Sequence, residues 1–301
     1  MRSRFIVFIQ ALNRPFFNWL IKAEKELEAF DFYKMCGAGN DFIVADNRDG
    51  RVSEADMPLL AKKLCRHRLS VGADGLIFIE KSDVADFSWN FWNLDGSRAE
   101  MCGNGARCAA RFALLTGIVK NPVMKFSTLA GVIEAEVTDG RVKVRLPDPT
   151  EIRWFHPLAV DKGAYNVASV NTGVPHVVVR VDDIASANVL EHGRLIRNHP
   201  DYAPAGANVN FVEMLRGDTI KIRTYERGVE GETLACGTGA TAAALMAHAV
   251  DGRPSPVHVV TASGAVLSIH FRKVKGGFTD VHLEGDARVI YQGRFSPEAL
   301  D

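Results

Sequence analysis

The feature that most restricts this chain is a short pattern that occurs twice. Cys102-Gly-Asn-Gly-Ala-Arg-Cys-Ala-Ala and Cys236-Gly-Thr-Gly-Ala-Thr-Ala-Ala-Ala lie 134 positions apart. With that offset held, Ala106 falls on Ala240, Ala109 on Ala243, Ala110 on Ala244 and Ala113 on Ala247. Gly39 falls on Gly173, Phe91 on Tyr225, Pro122 on Pro256 and Val123 on Val257. One coincidence carries no weight. A constant offset over this much chain points to duplication of a unit of about 120 to 130 residues, the size of one domain.

The two copies read alike. Strand-like runs, Phe87–Leu94 and Thr219–Tyr225, precede the cysteines. Ala-rich stretches follow, and Ala has the highest helix propensity, so helices are predicted over Ala106–Leu115 and Ala240–Val250, stopping near Gly117 and Gly252. Small residues on all sides predict that each helix is buried all round. Alternating runs over Val123–Val137, Arg141–Leu146, Val257–Phe271 and Asp280–Tyr291 predict strands. The expected fold is α+β, with two pseudo-symmetric, mainly antiparallel, barrel-like β domains, each wrapped about a central helix.

Composition narrows the function. The chain has 301 residues, enough for about two domains. Lys plus Arg and Asp plus Glu both total 36, so the formal charge is zero, which disfavours a nucleic-acid partner. Five cysteines are too few, and odd in number, for a disulfide framework, so a reducing, cytoplasmic setting is expected. Phe5–Ile21 is apolar but broken by Gln10, Asn13, Arg14, Pro15 and Asn18, which argues against a bilayer span. No small-x-small cleavage pattern follows it. Residues 1–30 are read as an amphipathic extension, with Leu20, Ala23, Leu27 and Phe30 on one face.

Cys-Gly-x-Gly places each cysteine at a helix start. The glycines admit close approach of a ligand to the backbone, and the unpaired N–H groups favour an anion such as a carboxylate. The same positive end is expected to lower a thiol's pKa from about 8.5 toward neutrality. If the two helix starts face each other, a bound carboxylate carries one sulfur on each face of its α-carbon. Inversion at that carbon then needs only a base on one side and an acid on the other. Cys36, Cys65 and Cys108 are read as packing residues. No Cys-x-x-Cys or His-x-x-x-His spacing suggests a metal site, and neither copy completes a phosphate-binding loop.

At these residues the chain resembles the diaminopimelate epimerases, from about Asp31 to the C-terminus. The resemblance is carried by Gly37-Ala-Gly-Asn-Asp-Phe42, Gly72-Ala-Asp-Gly75, Asn93-Leu-Asp-Gly-Ser97 and Met101-Cys-Gly-Asn-Gly-Ala-Arg-Cys108. Pro175-His176, Gly206-Ala-Asn-Val-Asn-Phe211, Tyr225-Glu-Arg-Gly228 and Gly231-Glu-Thr-Leu-Ala-Cys-Gly-Thr-Gly239 complete it.

The resemblance implies a cofactor-independent epimerase acting on a small amino-acid substrate in lysine and peptidoglycan precursor synthesis. It assigns Cys102 and Cys236 as the acid/base pair. Gly103, Asn104, Gly237 and Thr238 would hold the carboxylate. Glu226 would meet the reacting amino group, Arg227, Asn93 and Asn208 the distal end, and Asn40 the reacting centre. His176 and Glu226 would tune the cysteines. It also implies a homodimer with Tyr291 as a contact, and domains at 31–147 (completed by about 286–301) and 148–285.

Two departures stand out: Val174 where the family often has Asn, and Gly75 where it often has Gln. Alternatives remain. A proline or hydroxyproline racemase uses a similar cysteine pair, but usually carries His after the first Cys-Gly, where this chain has Asn104. A thiol-redox protein or a non-catalytic carboxylate-binding module would also use two such cysteines. Asn40, Asn93, Asn208 and Asp74 could be turn residues, Glu226 and Arg227 a solvated pair, and His176 a structural histidine.

Overall fold

The computed structural model describes residues 29–160 and 163–301. Of the amphipathic stripe in residues 1–30, all but Phe30 lies outside the described residues. Phe30 is buried and sets its ring edge-on to Phe78 and Phe295.

The first half contains β1 (Asp31–Gly37), β2 (Asn40–Asp46), α1 (Met57–Leu64), β3 (Gly75–Glu80), β4 (Phe87–Asn93), α2 (Gly103–Leu115), β5 (Val123–Thr128), β6 (Gly131–Thr138) and β7 (Arg141–Arg145). The second contains β8 (Thr150–Val160), β9 (Gly163–Asn171), β10 (Pro175–Val181), α3 (Val189–Arg197), β11 (Asn208–Met214), β12 (Thr219–Glu226) and β13 (Gly231–Thr233). It continues through α4 (Gly237–Asp251), β14 (Val257–Val260), β15 (Val266–Val274), β16 (Gly277–Asp286) and β17 (Arg288–Arg294).

The duplication read from the offset is a duplication of topology. In one half β4 runs parallel to β5, with Phe87 opposite Phe126. In the other β12 runs parallel to β14, with Lys221 opposite Val260, the same pair displaced by 134. The sheets are mixed: β2–β3 and β10–β11 are also parallel, and the remaining ladders are antiparallel. Helix α2 packs on β1, β2, β3, β6 and β7, and α4 on β9, β10, β11, β12, β14 and β15. Each half therefore closes its strands about one helix.

Both helices begin three residues before the predicted positions, at Gly103 and Gly237, because each cysteine holds extended backbone angles and caps the helix (φ −146° and ψ 117° at Cys102; φ −120° and ψ 111° at Cys236). Burial all round is realised in α4, where every residue from Gly239 to Ala247 is buried. Helix α2 is open on one side, at Arg111 and Leu115. The run Val123–Val137 is two strands, divided at a turn where Gly131 takes a φ of 107°. Val257–Phe271 likewise divides at a turn containing Gly264. Alternation alone cannot show such turns, because the polar/apolar rhythm passes through them.

Strand β16 joins the halves, pairing with β15 on one side and β7 on the other. Strand β17 then lies antiparallel to β1, placing Tyr291 opposite Lys34. Phe295, just beyond it, enters the apolar cluster of Phe30, Phe32, Met57 and Phe78.

Candidate active site

Each cysteine carbonyl accepts the first helical hydrogen bond, from Ala106 N–H at 2.8 Å and from Ala240 N–H at 2.9 Å. The two helix starts converge. A Cβ placed on Gly103 would stand 3.2 Å from Leu283 Cδ2, and one on Gly237 would stand 2.7 Å from the same atom. One leucine of the joining strand β16 thus abuts both N-termini. Gly239 is also constrained, since a Cβ there would fall 2.3 Å from Oδ1 of the fully buried Asn210.

The thiols lie within each other's electrostatic reach, and Glu226 acts on both. Cys102 is half-buried and Cys236 buried. The expected lowering of their pKa values is not what the structure shows. Burial pushes both thiols up, Cys236 to about 12. Backbone N–H groups of Asn104 and Gly105 oppose the rise at Cys102, together with the Arg107 charge. At Cys236 the opposing groups are the Thr238 hydroxyl, 3.5 Å from Sγ, and the Gly239 N–H. The helix ends act in the anticipated direction, but loss of water around the sulfurs is the larger effect. Cys65 and Cys108 are buried and their thiols are pushed up by burial as well. Cys36 is half-buried beside Arg288.

Glu226 ends β12. Burial raises its pKa, and the Thr233 hydroxyl, donating to Oε2 at 2.7 Å, holds it down. Asn208 is buried, accepts the Arg227 N–H at 2.8 Å and donates to the Pro175 carbonyl at 3.4 Å. His176 pairs across the parallel ladder with Asn208. Its ring is buried and held neutral, with a pKa pushed down to about 3 by burial and by Arg227. His176 Nδ1 lies 3.1 Å from Asn210 Nδ2, and its Nε2 has no hydrogen-bond partner among the described residues.

Asn40 and Asn104 are joined directly, Asn104 Nδ2 donating to Asn40 Oδ1. Asn93 lies further out, in a turn where its Nδ2 donates to Ser97 Oγ at 3.0 Å. Register connects it to the site: Asn93 pairs with Gly75, which pairs with Phe42. A side chain at Gly75 would begin 2.4 Å from the Phe91 ring and 3.0 Å from the Trp92 carbonyl, so the packing here leaves no room for a glutamine. Tyr291 is 45% exposed and sets its ring edge-on to Phe32.

Sequence reasoning assigns no site role to several other polar groups found here. Asp74, read there as a turn residue, accepts Asn40 Nδ2 at 3.0 Å and the Asp41 N–H at 3.1 Å. Arg107, a residue of α2, is fully buried and donates to Asn104 Oδ1 at 2.8 Å. Thr172 Oγ1 donates to the Thr238 carbonyl at 3.0 Å. Arg107 carried a signal: it lies inside the repeated motif, where the second copy has Thr241. Among the described residues no group of three or more His, Cys, Asp or Glu is placed to hold a metal, and no helix is long and apolar enough to cross a membrane.

The family model for diaminopimelate epimerase matches residues 32–150 and 168–282, which span both cysteine-headed helices. The chain belongs to the diaminopimelate epimerase family. It is 48% identical over 286 residues to the diaminopimelate epimerase of Aquifex aeolicus, covering 90% of this chain and 99% of that one. The diaminopimelate epimerase of a Hydrogenobaculum species is 44% identical, with 88% and 98% covered. Among solved structures, the fold is shared with a PhzF-family phenazine biosynthesis protein of Bacillus anthracis (TM-score 0.68, 14% identity, 89% and 99% covered). It is also shared with a hydroxyproline epimerase of Agrobacterium vitis (TM-score 0.62, 16% identity, 89% and 92% covered). The epimerase family fold is thus a two-domain one with a mixed, mostly stranded architecture.

Proposed function

We propose that this chain interconverts LL-2,6-diaminopimelate and the meso form without a cofactor, through Cys102 and Cys236. The observation that carries the proposal is the convergence of two cysteine-headed helix N-termini on Leu283. The α-carboxylate binds between the helix starts, against the N–H groups around Gly103, Asn104, Gly237 and Thr238. One sulfur, as thiolate, takes the α-proton. The electron pair left on carbon delocalises into the carboxylate, whose growing charge the fixed N–H groups stabilise. The opposite thiol returns a proton to the other face, so the pair ends with thiol and thiolate exchanged.

Desolvation serves this chemistry, because a thiolate of raised pKa is a stronger base toward a weakly acidic C–H. Glu226 receives the α-ammonium, which favours its ionised form. Arg227, Asn93 and Asn208 read the distal amino-acid end, and Asn40 borders the reacting centre. His176 enters as a neutral ring. The chain acts in the cytoplasm, where its thiols stay reduced, in lysine and peptidoglycan precursor synthesis, and works as a homodimer through the face that carries Tyr291.

The test is turnover of LL-diaminopimelate and of proline, in parallel, in deuterated buffer under reducing conditions. Deuterium at one α-position of diaminopimelate, with proline untouched, is the expected result. Turnover of proline in place of diaminopimelate would move the substrate assignment to the related racemases. Exchange with neither would remove the epimerase assignment. Sedimentation of wild type and Tyr291→Asp tests the dimer, which the substitution should dissociate.

A further inference from the structure

Among the described residues Arg107 is the largest fully buried side chain, and from α2 its guanidinium reaches back to the first turn of the same helix. Among the described residues its hydrogen bonds go to neutral acceptors: the Asp286 carbonyl at 3.2 Å, the Gly103 carbonyl at 3.2 Å and Asn104 Oδ1 at 2.8 Å. A guanidinium stays charged even where burial opposes it, so the site holds a positive charge whose hydrogen bonds reach no anion. Such a charge is costly unless an anion forms nearby.

The bonds run on from Arg107. Asn104 Nδ2 donates to Asn40 Oδ1, and Asn40 Nδ2 donates to Asp74 Oδ2. By holding Asn104 Oδ1, Arg107 determines which end of that amide faces Asn40. The repeat supplies an internal comparison. At the matching position of α4, Thr241 Oγ1 donates to the Gly237 carbonyl at 3.0 Å, the counterpart of the Gly103 carbonyl. The two copies therefore satisfy the same carbonyl with a cation in one and a neutral hydroxyl in the other.

Resting on the epimerase reading, we propose that Arg107 is a positioning residue that orients Asn104 and supplies the buried positive charge against which Cys102, rather than Cys236, ionises in the empty site. The other groups acting here are Glu226 from β12, which opposes ionisation of both thiols, and Cys102 itself, which opposes ionisation of Cys236 at the start of α4. Cys108 on α2, Asp286 on β16 and Arg141 on β7 act on Arg107. None of these supplies a cation to Cys236. The substrate α-carboxylate, once bound at the helix starts, takes the same countercharge.

The experiment needs no substrate, so it stands apart from whether diaminopimelate is turned over. Wild type, Arg107→Gln and Arg107→Lys are alkylated with iodoacetamide across neutral and alkaline pH. The Cys102 and Cys236 peptides are followed separately by mass spectrometry. Accessibility scales an alkylation rate at every pH, whereas ionisation sets its midpoint. In wild type the Cys102 midpoint is expected about one pH unit or more below that of Cys236. Arg107→Gln should raise the Cys102 midpoint by about one unit and leave Cys236 in place, while Arg107→Lys keeps it near the wild-type value. Coincident midpoints in wild type overturn the proposal even if the Gln variant does not fold. So does an unmoved Cys102 midpoint in folded Arg107→Gln.

Discussion

Thr233 Oγ1 donates a 2.7 Å hydrogen bond to Glu226 Oε2, and this bond opposes the burial that raises the Glu226 pKa. A hydrogen bond to an ionised carboxylate favours the ionised form. Replacing Thr233 by Val removes the donor at nearly constant volume, so the Glu226 pKa rises further. If the ionised carboxylate receives the substrate ammonium, the acid limb of kcat/KM moves to higher pH, by about one unit. A pH–rate profile checks this, and an unmoved limb would separate Glu226 from the reaction.

The two thiols are predicted to be individually required. Cys102→Ala and Cys236→Ala should each lower epimerisation by a factor of about 10² to 10⁴ or more, the range associated with a lost general acid or base. Because each variant keeps one sulfur, α-proton exchange with solvent can be measured separately from inversion. A variant that inverts at the wild-type rate would dispose of the two-sulfur mechanism.

Gly239 is expected to resist the smallest substitution. The Cβ of Gly239→Ala would meet Asn210 Oδ1 at 2.3 Å, and that oxygen already accepts the Thr224 hydroxyl at 3.0 Å. Asn210 also contacts His176 and the Val177 carbonyl, so it has little freedom to move. Overpacking of this kind costs about 1–3 kcal/mol. Urea unfolding of Gly239→Ala measures the loss. Stability equal to wild type would mean that the first turn of α4 shifts at little cost.

His176 should leave a mark on stability in acid. Its pKa falls from 6.5 to about 3 in the folded chain. Between those values the unfolded chain binds a proton that the folded chain does not. This site therefore adds stability above pH 6.5 and loses it steadily as the pH falls toward 3, at about 1.4 kcal/mol per pH unit. His176→Gln removes that contribution. The slope of unfolding free energy against pH in this window should be shallower for the variant than for wild type. Parallel slopes would mean that the ring titrates normally.

What could be read from the chain alone was local or repeated. The 134-residue offset, the Cys-Gly-x-Gly helix starts and the Ala-rich helices are visible because they depend on short-range propensity and on a pattern written twice. The strand runs were legible, but the turns inside Val123–Val137 and Val257–Phe271 were not, since alternation continues across them. Asp74 looked like a turn residue because its partner, Asn40, lies 34 positions away and is brought near by the parallel pairing of β2 with β3.

Sequence by itself determined that there would be two cysteine-headed helices in two matching halves. Only the tertiary structure decided that both helix starts meet at Leu283, that Arg107 on one of those helices is fully buried, and that the thiols are pushed up rather than down. The reason is physical. A helix end contributes its field wherever the helix is placed, but desolvation is set by how completely the rest of the chain excludes water from the sulfur.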